Sequence, residues 1–233
     1  MESPAYRSAL IVGAGHGLSA SLARLLAREG LRVALAARDV AKLDALCRET
    51  GARALRCDAR EPSEVSSLFA ALDAAGGAPD LVVYNASARS RGPLIDLVPD
   101  DVQQALQVTA FGAFLVAREA AQRMVPAKHG AIFFTGASAS VKGYARSAPF
   151  AMGKFATRGL AQSMARELSP LGIHVAHFVI DGAIRQAGRA GDPDRPDSLL
   201  DPDAIARTYL DILRQPRSAW TWEVELRPWV ETF

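Results

Sequence analysis

The residues of this chain most able to do chemistry begin with a glycine-rich run. Residues 12–19 read V-G-A-G-H-G-L-S. They follow an apolar, strand-like stretch and open an amphipathic helix, the setting in which such a run binds a dinucleotide. Gly13, Gly15 and Gly17 can adopt backbone angles closed to other residues, and they carry no Cβ to block a pyrophosphate. The helix starting near Leu18 would turn free N–H groups and the positive end of its dipole toward that group. The end of the next strand decides which dinucleotide fits. A carboxylate there would hold a ribose 2′-hydroxyl. This chain instead has Ala37 followed by Arg38. A guanidinium suits a 2′-phosphate, and His16 offers a second donor, so the sequence predicts NADP(H) in preference to NAD(H). Asp39 reads as the cap of the following helix.

These residues need a scaffold that brings strand ends together. Continuous apolar runs at 8–13, 31–37, 52–57, 81–85, 131–135 and 173–180 predict strands buried on both faces. Amphipathic stretches at 18–29, 40–49, 63–75, 100–124 and 149–168 predict helices, the first closed by Gly30. A weaker pattern follows: a polar, Pro-rich loop at 191–198, a helix at 203–213 and a last strand at 222–226. Strand–helix alternation with short connections predicts an α/β fold, a Rossmann-type doubly wound parallel sheet flanked by helices. With 233 residues, 49% of them apolar, the chain suits a single domain over 1–233 with a sizeable core. A formal charge of +2 gives no broad electrostatic case for nucleic acid. No apolar run is long enough to cross a membrane, and the N-terminus does not read as a signal peptide. Cys47 and Cys57, the only cysteines, fit a reducing setting, so a cytoplasmic location is expected.

The same residues, taken in order, resemble the short-chain dehydrogenase/reductase family, most strongly from Ser8 to Ile184. G-A-G-H-G-L-S is similar to that family's glycine turn, with Val12 for its Thr and Ser19 for its last Gly. Asp58 stands where the family's Asp contacts adenine, and Asn85-Ala86-Ser87 resembles its N-A-G motif, with Ser87 for Gly. The resemblance implies a catalytic set of Asn, Ser, Tyr and Lys. Lys154 fits the Lys, which would hold the nicotinamide ribose. Ser138 fits the Ser that bonds the substrate carbonyl, with Ser140 as the alternative. The Tyr position is Phe150, in F-A-M-G-K, and the Asn position is Thr109. Asp181-Gly182 replaces the family's P-G, which puts Gly182 beside the cofactor, and Gln186 replaces its following Thr. Phe150 matters most for chemistry. Reducing a carbonyl needs a proton for the developing alkoxide, and a Tyr hydroxyl one helical turn from a Lys can give it. Phe has none to give, and losing a general acid typically costs roughly 10²–10⁴ in rate. Tyr144 and Asp181 are the substitutes the sequence offers.

Two functions follow. One is an NADP-dependent oxidoreductase acting on a small-molecule carbonyl or alcohol, with impaired or non-standard acid–base chemistry. The other is a catalytically inactive nucleotide-binding relative that works through partners. Residues 183–201, rich in Arg, Asp, Gly and Pro, are the expected substrate loop. His174 and His177 lie three apart on one strand, so they face opposite ways and share no metal; none is expected. Trp220, Trp222 and Trp229 read as core or subunit contacts. Arg89 and Arg91 flank the loop after Asn85 and could attract an acidic substrate, but they read first as a solvated loop pair. The helices at 100–124 and 149–168 carry apolar residues beyond one stripe, including Val102, Leu106, Phe111, Phe114, Leu115, Met152, Phe155, Leu160 and Met164. A homodimer or homotetramer is therefore expected, as the family resemblance also implies.

Overall fold

Seven strands form one parallel sheet in a computed structural model of the chain, which describes residues 5–186, 188 and 194–231. They are β1 (Ser8–Val12), β2 (Arg32–Ala37), β3 (Arg53–Arg56), β4 (Leu81–Tyr84), β5 (Ala131–Thr135), β6 (His174–Ile180) and β7 (Glu223–Leu226). The strand order is β3-β2-β1-β4-β5-β6-β7, with every neighbouring pair parallel. The chain thus starts at the centre, winds out to β3, returns to place β4 beside β1, and winds out the other way. That reversal opens a crevice at the carboxyl ends of β1 and β4.

Helices cover both faces. They are α1 (Leu18–Arg28), α2 (Asp44–Thr50), α3 (Pro62–Ala74), α4 (Pro99–Leu106), α5 (Gly112–Ala127), α6 (Ala148–Leu168) and α7 (Pro202–Leu213). In β1, Ala9 and Ile11 point into a core with α1, α2 and α7, while Leu10 and Val12 point into one with α3, α5 and α6. In α1, Leu18, Leu22 and Leu26 recur every four residues, and all three are buried against the sheet. Asp201 caps α7 by accepting from the Asp203 amide at 2.9 Å. Asp39 likewise accepts from the Ala41 amide at 3.1 Å ahead of α2.

The helix expected over 100–124 departs from regularity in its middle. Between α4 and α5 the chain makes a π-turn at Gln107–Phe111. Two side chains account for it. The Tyr84 hydroxyl donates to the Val108 carbonyl, and the Thr157 hydroxyl donates to the Thr109 carbonyl at 2.9 Å. Two successive carbonyls are thereby drawn out of the helical ladder, which widens to accommodate them. Gly153 of α6 lies against this turn: a Cβ there would sit 2.9 Å from the Thr109 Cβ.

Other expectations meet the structure as follows. His174 and His177 do face opposite ways, His174 stacked on Trp220 at 4.6 Å and His177 at 3.0 Å from Glu223. Trp229 is exposed. Leu115, Leu160 and Met164 pack on the core, but Phe111, Phe114, Met152 and Phe155 remain exposed. Within the expected loop at 183–201, Ile184 makes a parallel bridge to Leu200, and residues 187 and 189–193 lie outside the described residues. Among the described residues no helix is long and apolar enough to cross a membrane.

Candidate active site

The glycine turn is built by contact with β4. Gly13 has φ +83°, and a Cβ there would meet the Ala86 amide nitrogen at 2.4 Å, so both conformation and space demand glycine. Gly15 and Gly17 differ from expectation. Neither has positive φ, and a Cβ on either would meet no protein atom within 4 Å. What they leave is open space beside the start of α1, whose N-cap is Gly17 and has no side-chain cap. Asn85 fastens the turn from the β4 side. Its amide donates to Ser19 Oγ at 2.7 Å and to the Gly13 carbonyl at 3.4 Å, and Ser19 Oγ donates to that carbonyl at 3.2 Å. Ser19, which stands for a glycine in the resembling motif, is thus a structural partner of Asn85.

A cavity of about 310 Å³ opens beyond this turn, lined by Gly13, Ala14, Ala37, Arg38, Asp58, Asn85 and Ala86. Lys42 and Arg60 line it too, and the sequence reading did not single them out. Asp58 is buried, and Arg60 grips both its carboxylate oxygens, the shortest contact being 2.7 Å. The Arg60 hydrogen bonds hold the Asp58 carboxyl below its usual range. The D-x-R spacing was the available signal. His16 is exposed and lies outside the lining of this cavity. Lys42, one turn into the following segment, occupies that wall.

A second cavity of about 640 Å³ lies toward β5 and β6. Leu18, Asn85, Ser87, Arg89, Ser138, Phe150, Lys154, Asp181, Gly182 and Gln186 are among its walls. Ser138 opens the short turn Ser138–Ser140 after β5 and faces the cavity. Ser140 is fully buried, and its hydroxyl accepts from the Ala137 amide at 3.1 Å, which removes it as the alternative. Phe150 and Lys154 share one face of α6. The Lys154 ammonium donates to the Thr135 carbonyl at 2.6 Å and lies 5.8 Å from the centre of the Phe150 ring. Burial, reinforced by the charge of Arg89, lowers its pKa from 10.5 to about 7. Thr109 is buried behind these residues. Its hydroxyl accepts from the Ala88 amide at 3.1 Å, so it fastens the loop after β4 and does not line the cavity. Of the substitute acids, Tyr144 reaches the cavity wall. The Asp181 carboxylate is taken up by Arg227 at 2.7 Å and Lys142 at 3.5 Å. Arg227 lies too far along the chain for any local pattern to have suggested it. Arg89, expected in solvent, is exposed, and its guanidinium lies over the Phe150 ring at 4.1 Å from its centre.

A strand–turn–helix glycine cradle at the centre of a doubly wound sheet, leading to a Ser and a Lys beyond β5, defines a dinucleotide-binding oxidoreductase architecture. The family described as short chain dehydrogenase matches residues 7–187, and the chain belongs to the short-chain dehydrogenase/reductase family. Among curated relatives, the short-chain type dehydrogenase/reductase y4eK of Sinorhizobium fredii is 30% identical over 96% of this chain and 92% of its own. The sorbitol-6-phosphate 2-dehydrogenase of Escherichia coli is 29% identical over 87% of this chain and 82% of its own. The 3-oxoacyl-[acyl-carrier-protein] reductase MabA of Mycobacterium tuberculosis is 28% identical over 76% of this chain and 69% of its own. Among solved structures, a short-chain dehydrogenase from Rhodopseudomonas palustris is 35% identical with TM-score 0.82, covering 97% of this chain and 100% of that one. A metagenomic short-chain oxidoreductase in complex with NADP is 28% identical with TM-score 0.84, covering 97% and 98%.

The buried Lys154 gives the protein a characteristic pH response. The folded chain holds this amine to a pKa of about 7, against 10.5 ordinarily. Between those values the unfolded chain binds more protons, so stability rises with pH across that window. Lys154→Met should therefore raise the melting temperature by about a few °C near pH 6, and the gain should shrink as pH approaches 10. Thermal unfolding of both proteins across this range checks it; a gain independent of pH would contradict the assignment.

Proposed function

We propose that this protein is an NADP-dependent oxidoreductase acting on a carbonyl/alcohol pair, with acid–base chemistry altered at Phe150. The observation that carries the reading is continuity: Asn85 and Ser87 line both cavities, so one extended ligand can run from Arg38 to Lys154. A dinucleotide fits that path. The open space at Gly15 and Gly17, beside Leu18, would hold its pyrophosphate, and Arg38 and Lys42 would hold a 2′-phosphate. Asp58, clamped by Arg60, stands by the adenine, while Ala86 and Gly182 close the path without bulk. In its reduced form the dinucleotide supplies a hydride.

The chain's own groups do the rest. The Ser138 hydroxyl donates to the substrate carbonyl oxygen and polarises it. Lys154 orients the ribose hydroxyls, and its lowered pKa lets it exchange protons with solvent near neutrality. Phe150 supplies no proton, so the proton for the alkoxide would come from solvent, with Lys154 as the chain's own group able to exchange it. Thr109 holds the loop after β4 in place. Ala183, Ile184 and Gln186, at the start of the expected substrate loop, line the second cavity. One observation favours a second reading, a nucleotide-binding protein without turnover: the aromatic residue one turn before Lys154 has no hydroxyl.

Three measurements test this. NADPH should bind at least about tenfold more tightly than NADH, and Arg38→Asp should reverse the order; nucleotide fluorescence titration reads both, and equal affinities would reject the assignment. Phe150→Tyr restores a hydroxyl with little change in volume. It should raise the initial rate of NADPH-dependent reduction of an activated ketone by about tenfold or more. Normal nucleotide binding with no gain in rate, in this variant and with Thr109→Asn added, would favour the second reading. The exposed Phe111, Phe114, Met152 and Phe155 should be covered by a second copy of the chain. Light scattering at micromolar concentration should report a dimer or tetramer, and a monomer would refute it.

A further inference from the structure

We propose that Arg60 is a positioning residue for the base of the dinucleotide: it keeps the Asp58 carboxylate charged and in one orientation, so that the site selects adenine over hypoxanthine in acid as at neutral pH. The inference rests on the dinucleotide reading of the first cavity and on no turnover in the second.

Asp58 and Arg60 both line the cavity beside Arg38, and Asp58 is buried. Three donors of Arg60 reach its carboxylate. The Arg60 amide donates to Oδ1 at 3.1 Å, Nε lies 3.1 Å from both oxygens, and Nη2 donates to Oδ2 at 2.7 Å. An ionised carboxylate has about four acceptor positions, so about one is left for a ligand. The backbone is fixed as well. The Asp58 amide donates to Glu64 Oε2 at 2.8 Å, and Arg56 donates to Glu64 Oε1 at 3.1 Å. One acceptor at a fixed place suits an exocyclic amino group. Adenine carries such a group, whereas hypoxanthine carries a carbonyl oxygen there and would set acceptor against acceptor.

Only the ionised carboxylate selects in this way. A protonated carboxyl gains an O–H donor, which can bond to the hypoxanthine oxygen. The Arg60 hydrogen bonds hold the Asp58 carboxyl below its ordinary 3.8 against burial, which raises it, and Arg38 adds a smaller lowering. Without Arg60, burial is the larger influence left, and the carboxyl takes up a proton as pH falls. Around it, Lys42 lines the same cavity, Glu64 is held by Arg56, and Glu61 is exposed just before α3. Burial lifts Cys57 to about 11 and raises Tyr84 too, so both stay neutral where the carboxyl titrates.

Calorimetric titration of NADP⁺ and of its hypoxanthine analogue, between about pH 5 and pH 7.5, tests this. The 2′-phosphate is common to both, so its own ionisation cancels in the ratio of affinities. The unmodified protein should prefer adenine by about tenfold or more throughout. In Arg60→Gln that preference should fall by about fivefold or more from the upper to the lower pH, while Arg60→Lys, which keeps a charge, should stay level. Asp58→Asn should show little preference at any pH, because an amide both donates and accepts, and adding Arg60→Gln should change nothing further. A preference independent of pH in Arg60→Gln would overturn the proposal. So would one that survives in Asp58→Asn, which keeps the test open if thermal unfolding shows Arg60→Gln to be unfolded. If NADP⁺ binds with no choice between the bases, the proposal falls and the dinucleotide reading stands; if neither nucleotide binds, both fall.

Discussion

Two backbones come very close together in the site. Where β1 turns toward α1, Gly13 lies so near Ala86 at the end of β4 that not even a methyl group fits between them. Everything on the ligand side depends on this contact. It presses the two central strand ends together, and Asn85 then bonds across to Ser19 and the Gly13 carbonyl. Asn85 and Ser87, just past β4, are consequently walls of both cavities. A wider turn would separate the adenosine end from the catalytic end, leaving two unrelated hollows.

The catalytic end is organised around a different constraint, a buried amine. Lys154 is inside the protein with the Thr135 carbonyl as its hydrogen-bond partner. Burial lowers its proton affinity toward neutrality. The residue one turn earlier is Phe150, on whose ring Arg89 rests. Two cations therefore flank one aromatic side chain.

Much of this was legible in the sequence. The continuous apolar runs marked strands buried on both sides, and the glycine run fell between a strand and a helix, which located the crevice. The four-residue spacing of Phe150 and Lys154 survives on α6 because helical geometry alone enforces it. What escaped is what depends on distant parts of the chain meeting. Arg227 reaches Asp181 from a strand added last to the sheet. The π-turn arises from hydroxyls on β4 and α6 that no periodicity in residues 100–124 could announce. Glycine identity also overstated its own meaning: of the three only Gly13 has a positive φ, while Gly15 and Gly17 have emptiness beside them. Arg89 is exposed as the sequence suggested, but only the fold reveals that it lies over an aromatic ring.

The contact between Gly153 and Thr109 bears on how such a sequence can change over time. The two positions lie on different helices, 2.9 Å apart once a methyl group is added to the first. Thr109 meanwhile uses its hydroxyl on the Ala88 amide and its carbonyl on Thr157. Mutational drift at either position is therefore yoked to the other. A side chain gained at 153 displaces the turn that holds the loop after β4, and a bulkier residue at 109 is tolerated only while 153 stays bare. Among descendants of this chain, position 153 should gain a side chain only with a compensating change at 109, and the loop carrying Arg89 inherits whatever they settle on.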